Sequence, residues 1–217
     1  MAGKLKVVAL ISGRGSNLQA LIDASRKPSF PARIVAVISN KADAKGLLRA
    51  KKAKIPTHVL SHKDYATRED YDKALDALIR KAGGNFICLA GFMRLLTGSF
   101  VRKWEGRIIN IHPSLLPSFK GAHAHEDAIA AGVKISGCTV HFVVPEMDSG
   151  PIILQAAVPV MEGDDAEALA ARVLKAEHQL YPAALKLIAE GKVALKEGKT
   201  RISAKKKAGA VLISPGF

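Results

Sequence analysis

Cysteine is scarce in this chain: Cys88 and Cys138 are the only two in 217 residues, and both sit in apolar, strand-like runs. Two isolated thiols form neither a disulfide framework nor a CxxC metal pattern. They predict buried, reduced thiols in a reducing, cytoplasmic compartment. Aromatic residues make up 5% of the chain, and the basic runs have none interleaved. The stacking platforms that single-stranded nucleic acid requires are therefore missing. Apolar runs are short and broken by polar residues, so nothing is long enough to span a membrane. The N-terminal MAGKLKVVALISGRG has neither the long apolar region nor the small-residue cleavage site of a signal peptide. No internal repeat is evident. Acidic residues are in the minority, 19 against 33 Lys and Arg, for a net charge of +14. Much of the excess lies at Lys45 to Lys54, read as the wet face of a helix, and at Lys192 to Lys207, read as a solvated tail. That balance suits a basic protein acting on an anionic small molecule. A basic nucleic-acid-binding α/β protein remains the less favoured alternative.

What the chain does have is enough apolar content, 48%, for a full core in one domain, or in one domain with a small appendage. Apolar runs at Lys6 to Ile11, Arg33 to Ile38, Thr57 to Leu60, Asn85 to Ala90 and Arg107 to His112 read as strands. They alternate with helical patterns at Leu18 to Ile22, Ala44 to Ala53, Arg68 to Lys81 and Ser99 to Trp104. Alternation of this kind predicts an α/β fold with a Rossmann-like open sheet, parallel in its N-terminal half, with helices on both faces. Lys134 to Val144 and Ile152 to Val160 are separated by a short Pro-Gly-Ser loop, so the C-terminal part is expected to carry antiparallel strands. A helix follows with Asp164 or Asp165 as its N-cap, an inward stripe of Leu169, Val173, Leu180, Ala184 and Ile188, and a kink at Pro182. The expected organisation is a single domain over residues 1–191. Its N-terminal half covers about residues 1–105, its C-terminal half about 106–191, and the basic tail 192–217. The apolar run Ala210 to Ile213 in that tail reads as an edge strand.

Three places carry chemistry. The first is the turn Ser12-Gly13-Arg14-Gly15-Ser16-Asn17 between a strand and a helix. Glycines permit close backbone approach, and the helix start offers free N–H groups and a positive dipole end, so the turn suits a phosphate. It also suits a plain tight turn. Dinucleotide binding is disfavoured, because Leu18 occupies the place of a third glycine and the second strand ends in Ser39-Asn40 where a ribose-holding carboxylate would stand.

The second place is Asn110 and His112. Two apart on one strand, they share a face at its C-terminal end, where open α/β sheets place their ligand crevices. An amide and an imidazole there suit oxyanion stabilisation and proton transfer; a loop-capping histidine is the bland alternative. The third is Glu177, a carboxylate on the buried stripe of the last helix, which calls for a partner or a ligand. Other positions read more plainly. Arg68 is a solvated charge at a helix start, and Asp148 is a turn residue. Gly91 to Leu96 suits either a flat heterocycle or the approach to a helix. His123 and His125 with His112 raise the thought of a metal, but no Asp or Cys completes a fixed-spacing set, so no metal is expected.

The strings GRGSNLQALID, AGFMRLL, IINIHPSLLPSFKGAHAHEDAI, GCTVHFV and EMDSGPIILQAAVPV together resemble the glycinamide ribonucleotide formyltransferases of purine synthesis, from about Lys6 to about Ala189. The resemblance implies a transferase whose co-substrate is 10-formyltetrahydrofolate and whose acceptor is the amine of glycinamide ribonucleotide. Asn110, His112 and Asp148 match the family's catalytic trio. Gly15, Ser16 and Asn17 match its phosphate loop, and Glu177 its ribose carboxylate. Met93, Arg94, Leu95 and Leu96, with Asn110 and Val144, Pro145, Glu146, Met147 and Asp148, match the folate-binding edge, and Arg68 a contact to the folate glutamate tail. The implied partners are these two small molecules, with no membrane, and the protein is expected as a monomer or homodimer. The methionyl-tRNA formyltransferases share the Asn, His and Asp, and a formyltetrahydrofolate hydrolase is similar too; these other 10-formyltetrahydrofolate-dependent enzymes are the alternative. They resemble longer chains, with a tRNA-contacting C-terminal or a regulatory N-terminal domain.

Overall fold

A computed structural model describes residues 3–203 and 214. Contacts divide the chain into two units, Met1–Asn110 with Phe142–Pro145, and Ile111–His141 with Glu146–Phe217. The first is a run of parallel strands and helices: β1 (Leu5–Ile11), α1 (Ser16–Ser25), β2 (Ala32–Ser39), α2 (Gly46–Lys52), β3 (Thr57–Val59), α3 (Arg68–Lys81), β4 (Phe86–Leu89), α4 (Gly98–Lys103) and β5 (Ile108–His112), whose last two residues belong to the second unit. The strand order runs β3-β2-β1-β4-β5, then β6 (Ile135–Phe142) and β7 (Ile152–Pro159). The pairs β1–β2, β1–β4, β2–β3 and β4–β5 are parallel, and β6–β7 is antiparallel. The mixed α/β sheet expected from the alternation is what forms.

The reason is visible residue by residue. Val7 to Ile11 are all fully buried, as a central parallel strand covered on both faces must be. On α3, Tyr71, Leu75 and Ile79 recur every four residues and are fully buried against Leu10, Ile38, Ile87 and Trp104. Leu78 and Ala82, one position off that spacing or beyond it, are only partly buried. Burying each such side chain is worth about 1.5–3 kcal/mol. Thr67 caps α3, its Oγ1 accepting from Asp70 N at 3.1 Å. Asp72 and Asp76, also on α3, are buried for a different purpose. Asp76 accepts from Trp104 Nε1 at 2.8 Å and from Arg80 and Lys103.

In the second unit, α5 (Ala124–Ala130) and α6 (Ala166–Ala189) pack Ala128, Leu169 and Val173 with Cys138 and Val158 of β6 and β7. Asp165 is the N-cap of α6, its Oδ1 accepting from Ala168 N at 2.8 Å, and the helix continues through Pro182. Gly137 on β6 could not be another residue: a Cβ there would lie 2.0 Å from the Ala156 carbonyl oxygen and 2.9 Å from Leu115.

Two sequence expectations change. The strand expected to reach Val144 stops at Phe142. The stretch read as a solvated tail begins with a hairpin, β8 (Val193–Lys196) and β9 (Lys199–Ile202). Glu197 and Gly198 both have positive φ, 50° and 69°, the conformation of a two-residue turn whose twist matches its strands. Val193 and Ile202 pair on one face, with Val193 buried. The expected edge strand at Ala210 to Ile213 lies outside the described residues.

Candidate active site

In the first unit, β1 ends at Ile11 and the chain turns through Ser12 to Gly15 before α1 begins. Gly15 is the N-cap, with φ 70° and ψ 32°, and it has no side chain to spend on capping. A Cβ at Gly15 would lie 2.6 Å from Gly46 Cα, so both conformation and space demand glycine. The turn is braced from outside: Gly46 N donates to Gly13 O at 3.0 Å, and Arg49 Nε donates to Arg14 O at 3.0 Å. Ser16 and Asn17 form the first turn of α1, half-buried.

The second loop of this unit follows β4. Met93 N donates to Ser12 Oγ at 2.8 Å, and at the far end Thr97 N and Oγ1 both donate to Asp72 Oδ2 at 2.7 Å. Between these anchors Met93 and Leu95 are 77% and 58% exposed, apolar side chains left in water. Leu96 instead packs partly into the core, and the Arg94 guanidinium lies over the Tyr71 ring, 4.6 Å from its centroid. Val144 is half-buried, and Pro145 is exposed with its Cβ in reach of Gly98. Arg68 is exposed at the start of α3. Asn110, on β5 in register with Leu89, is half-buried and two residues before His112.

In the second unit the ionisable groups converge. His112 is buried, and its Nε2 lies 2.9 Å from Phe119 O. A carbonyl only accepts, so Nε2 carries a hydrogen and Nδ1 faces the other way. There it meets Asp148 Oδ2 at 3.4 Å. Asp148 has φ 48°, a left-handed conformation that Asp tolerates better than most residues, and it aims an 11%-exposed carboxylate inward. Gly121 N donates to the same Oδ2 at 3.0 Å. The other oxygen lies 3.8 Å from Nε2 of buried His141. The sequence reading does not single out His141. Its position on β6, one residue before the strand ends, is the available signal.

A buried polar network holds the loop that supplies Phe119 and Gly121. Thr139 Oγ1 donates to Ser114 O at 2.7 Å and accepts from Leu116 N at 3.1 Å and from Gln155 Nε2 at 3.0 Å. That uses a hydroxyl's one hydrogen and both lone pairs. Gln155 Nε2 also donates to Leu116 O at 3.0 Å. Lys120 Nζ donates to Ser149 Oγ at 2.7 Å beside Asp148. Glu146 and Met147, before Asp148, are exposed.

Glu177 is 6% exposed on α6. Burial pushes the Cys138 thiol up to about 12, and the negative charge of Glu177 adds to the shift. Cys138 therefore stays a protonated thiol. Burial lowers the His125 pKa against the opposing pull of Glu126, with a further lowering by His112. His123 is exposed. Among the described residues, no group of three or more His, Cys, Asp or Glu is placed to hold a metal ion, and no helix is long and apolar enough to cross a membrane.

The formyl transferase family model matches residues 5–185. The chain is 56% identical over 194 residues to the trifunctional purine biosynthetic protein adenosine-3 of Gallus gallus, covering 89% of this chain and 19% of that protein. It thus spans about a fifth of the length of that relative. It is 46% identical to the phosphoribosylglycinamide formyltransferase of Escherichia coli K12, covering 89% of this chain and 91% of that one. The structure of glycinamide ribonucleotide transformylase 1 from Symbiobacterium toebii superposes with a TM-score of 0.90 at 46% identity, covering 93% of this chain and 95% of that one. By its residues 5–185, the chain belongs to the formyl transferase family.

Proposed function

We propose that this protein transfers a formyl group from 10-formyltetrahydrofolate to the primary amine of glycinamide ribonucleotide, as a cytoplasmic enzyme of de novo purine synthesis. The observation that carries the reading is the buried His112–Asp148 contact at 3.4 Å, with Asn110 two residues earlier on the same strand. Gly15, Ser16 and Asn17 would take the substrate phosphate on backbone N–H groups and short polar side chains. Glu177 would accept from the ribose hydroxyls. The loop Met93 to Leu96, with Val144 to Asp148, would hold the folate heterocycle. Exposed Met93 and Leu95 offer it apolar surface, and Arg68 would meet its glutamate tail.

The reaction needs no covalent enzyme intermediate. The acceptor amine attacks the formyl carbon, and a tetrahedral intermediate forms with its charge on oxygen. The Asn110 amide would donate to that oxygen, and His112, whose ring nitrogens face Phe119 O and Asp148, would stabilise it through charge and not through a hydrogen bond of its own. The C–N bond to the folate nitrogen then breaks as a proton passes from the incoming amine to the leaving nitrogen. Asp148 would serve two tasks: it would orient the His112 ring from the side opposite the Phe119 carbonyl, and its carboxylate would hold a water that carries the proton. Holding two substrates in one geometry can itself be worth about 7–11 kcal/mol. The deciding assay pairs 10-formyltetrahydrofolate with glycinamide ribonucleotide and, in parallel, with charged initiator tRNA. Formylation of the ribonucleotide alone supports the reading. Formylation of the tRNA, or release of formate without transfer, replaces it with another family activity.

A further inference from the structure

Ser12 opens the first loop, just before its glycines, and its side chain has been given no contact to either ligand. It is 6% exposed, and three hydrogen bonds converge on it. Its N–H donates to Gly91 O at 2.9 Å, its Oγ accepts from Met93 N at 2.8 Å, and that hydroxyl donates to Asn40 Oδ1 at 2.6 Å. Asn40 is 4% exposed, and the residues on either side of it are tied to each other: Ser39 Oγ donates to Lys41 O at 2.7 Å and accepts from Lys41 N at 3.1 Å. The next two residues of the loop lean on the same segment through Gly46 and Arg49. Gly13 and Arg14 therefore reach only the β2–α2 brace through these bonds, whereas Ser12 reaches both the brace and the β4–α4 loop.

We infer that Ser12, oriented by Asn40, is a positioning residue that fixes the phosphate loop and the folate loop in one geometry. The inference rests on the formyl-transfer reading for the identity of the two ligands. The chemistry is a relay. The hydroxyl has one hydrogen, and giving it to Asn40 leaves a lone pair aimed at the Met93 amide, so each bond polarises the next. A residue without a hydroxyl at position 12 strands the Met93 N–H and the Asn40 oxygen together. The two loops would then sample positions independently, and both substrates would meet a site out of register. Chemistry itself, once both are seated, is untouched.

The test is Ser12→Ala, a smaller residue that cannot clash, with Asn40→Ala and the double variant. The expected result for Ser12→Ala is a rise of roughly five- to tenfold in KM for both substrates, with kcat within about threefold. In the unliganded protein, amide exchange should quicken at Met93 and across residues 13–17 together. Asn40→Ala should give the same pattern more weakly, and the double variant should be no worse than Ser12→Ala, since both cut one chain. A rise in one KM only, exchange confined to one loop, or additive effects in the double variant would overturn the inference. So would a drop in melting temperature with both KM values unchanged, the mark of a merely structural serine. If Ser12→Ala does not accumulate, Asn40→Ala alone decides by the same readouts. Should the wild type transfer no formyl group, the ligand assignment falls, and the exchange measurement still decides whether Ser12 links the loops.

Discussion

In the proposed reading, the surface offered to substrate between Ser12 and Asn17 is mostly backbone, whereas between His112 and Asp148 it is side chains. The glycine turn depends on what is missing: Gly15 has no Cβ, no capping group and little room to gain either. The histidine–aspartate pair depends on what has been added, a layer of hydrogen bonds from Phe119, Gly121 and the Thr139 network. The contrast is physical. A phosphate arrives with its own charge and needs only donors that approach closely. A proton-handling pair must be held by partners that leave it neither fully solvated nor stranded. Damage to the first region should therefore appear as lost binding, and damage to the second as lost turnover.

The sharpest way to break that comparison is Asp148→Asn. The amide keeps the shape and can still accept from Gly121, but it supplies no negative charge opposite His112. The expected outcome is a fall in kcat of roughly a thousandfold with KM for both substrates within about threefold, measured by steady-state formyl transfer. Near-normal turnover would remove Asp148 from the mechanism. Gly15→Ala probes the other side. A methyl at φ 70° is strained and would meet Gly46 Cα at 2.6 Å, so α2 must move. The cost to stability is about 2–3 kcal/mol by denaturant titration, with KM for the ribonucleotide rising roughly tenfold or more and kcat falling less. An unchanged KM in the Gly15→Ala variant would mean the turn is a plain connection.

The two regions are not equally legible from the sequence. Glycine turns announce themselves, because few residues tolerate positive φ or a 2.6 Å approach, and Gly15 between a strand and a helix is readable at once. Asn110 and His112 are readable because strand periodicity is two. Asp148, far along the chain from His112, is unremarkable on its own; a turn aspartate is common, and only resemblance gives it a role. His141, Thr139 and Gln155 escape notice because their importance lies in what they touch across β6, β7 and the loop after β5. Spacing along a chain carries no such information. The hairpin at Val193–Ile202 escapes for another reason. Its alternation is short, and a run of lysines masks the Glu197-Gly198 turn.

Thr139→Val tests whether the side-chain region depends on its buried support. Valine keeps the shape but leaves Ser114 O and Leu116 N without the hydroxyl they share. The expected cost is about 2 kcal/mol, and kcat should fall severalfold more than KM rises, because the loop that aligns His112 and Asp148 is loosened. If stability falls while kcat holds, the network supports the fold alone.

The smallest effect separates a charge that supports from charges that react. Asp164 accepts two hydrogen bonds from Arg172, at 2.6 and 2.9 Å, and one from Met161 N at 2.7 Å, and so fastens the turn after β7 to α6, the helix that carries Glu177. The Arg172 bonds hold its pKa down to about 2, with the Met161 amide assisting against a smaller opposing effect of burial. An unfolded aspartate titrates near 3.9. A carboxyl depressed in the folded state contributes stability that is fully present above the unfolded value and disappears as pH falls through the folded one. Asp164→Asn should therefore melt below the wild type from about pH 4 upward, and the gap should close between about pH 4 and pH 2. Turnover at neutral pH should change little, since the pair touches neither His112 nor Asp148. A melting gap that persists unchanged at about pH 2 would show that the aspartate acts there through its shape and not its charge.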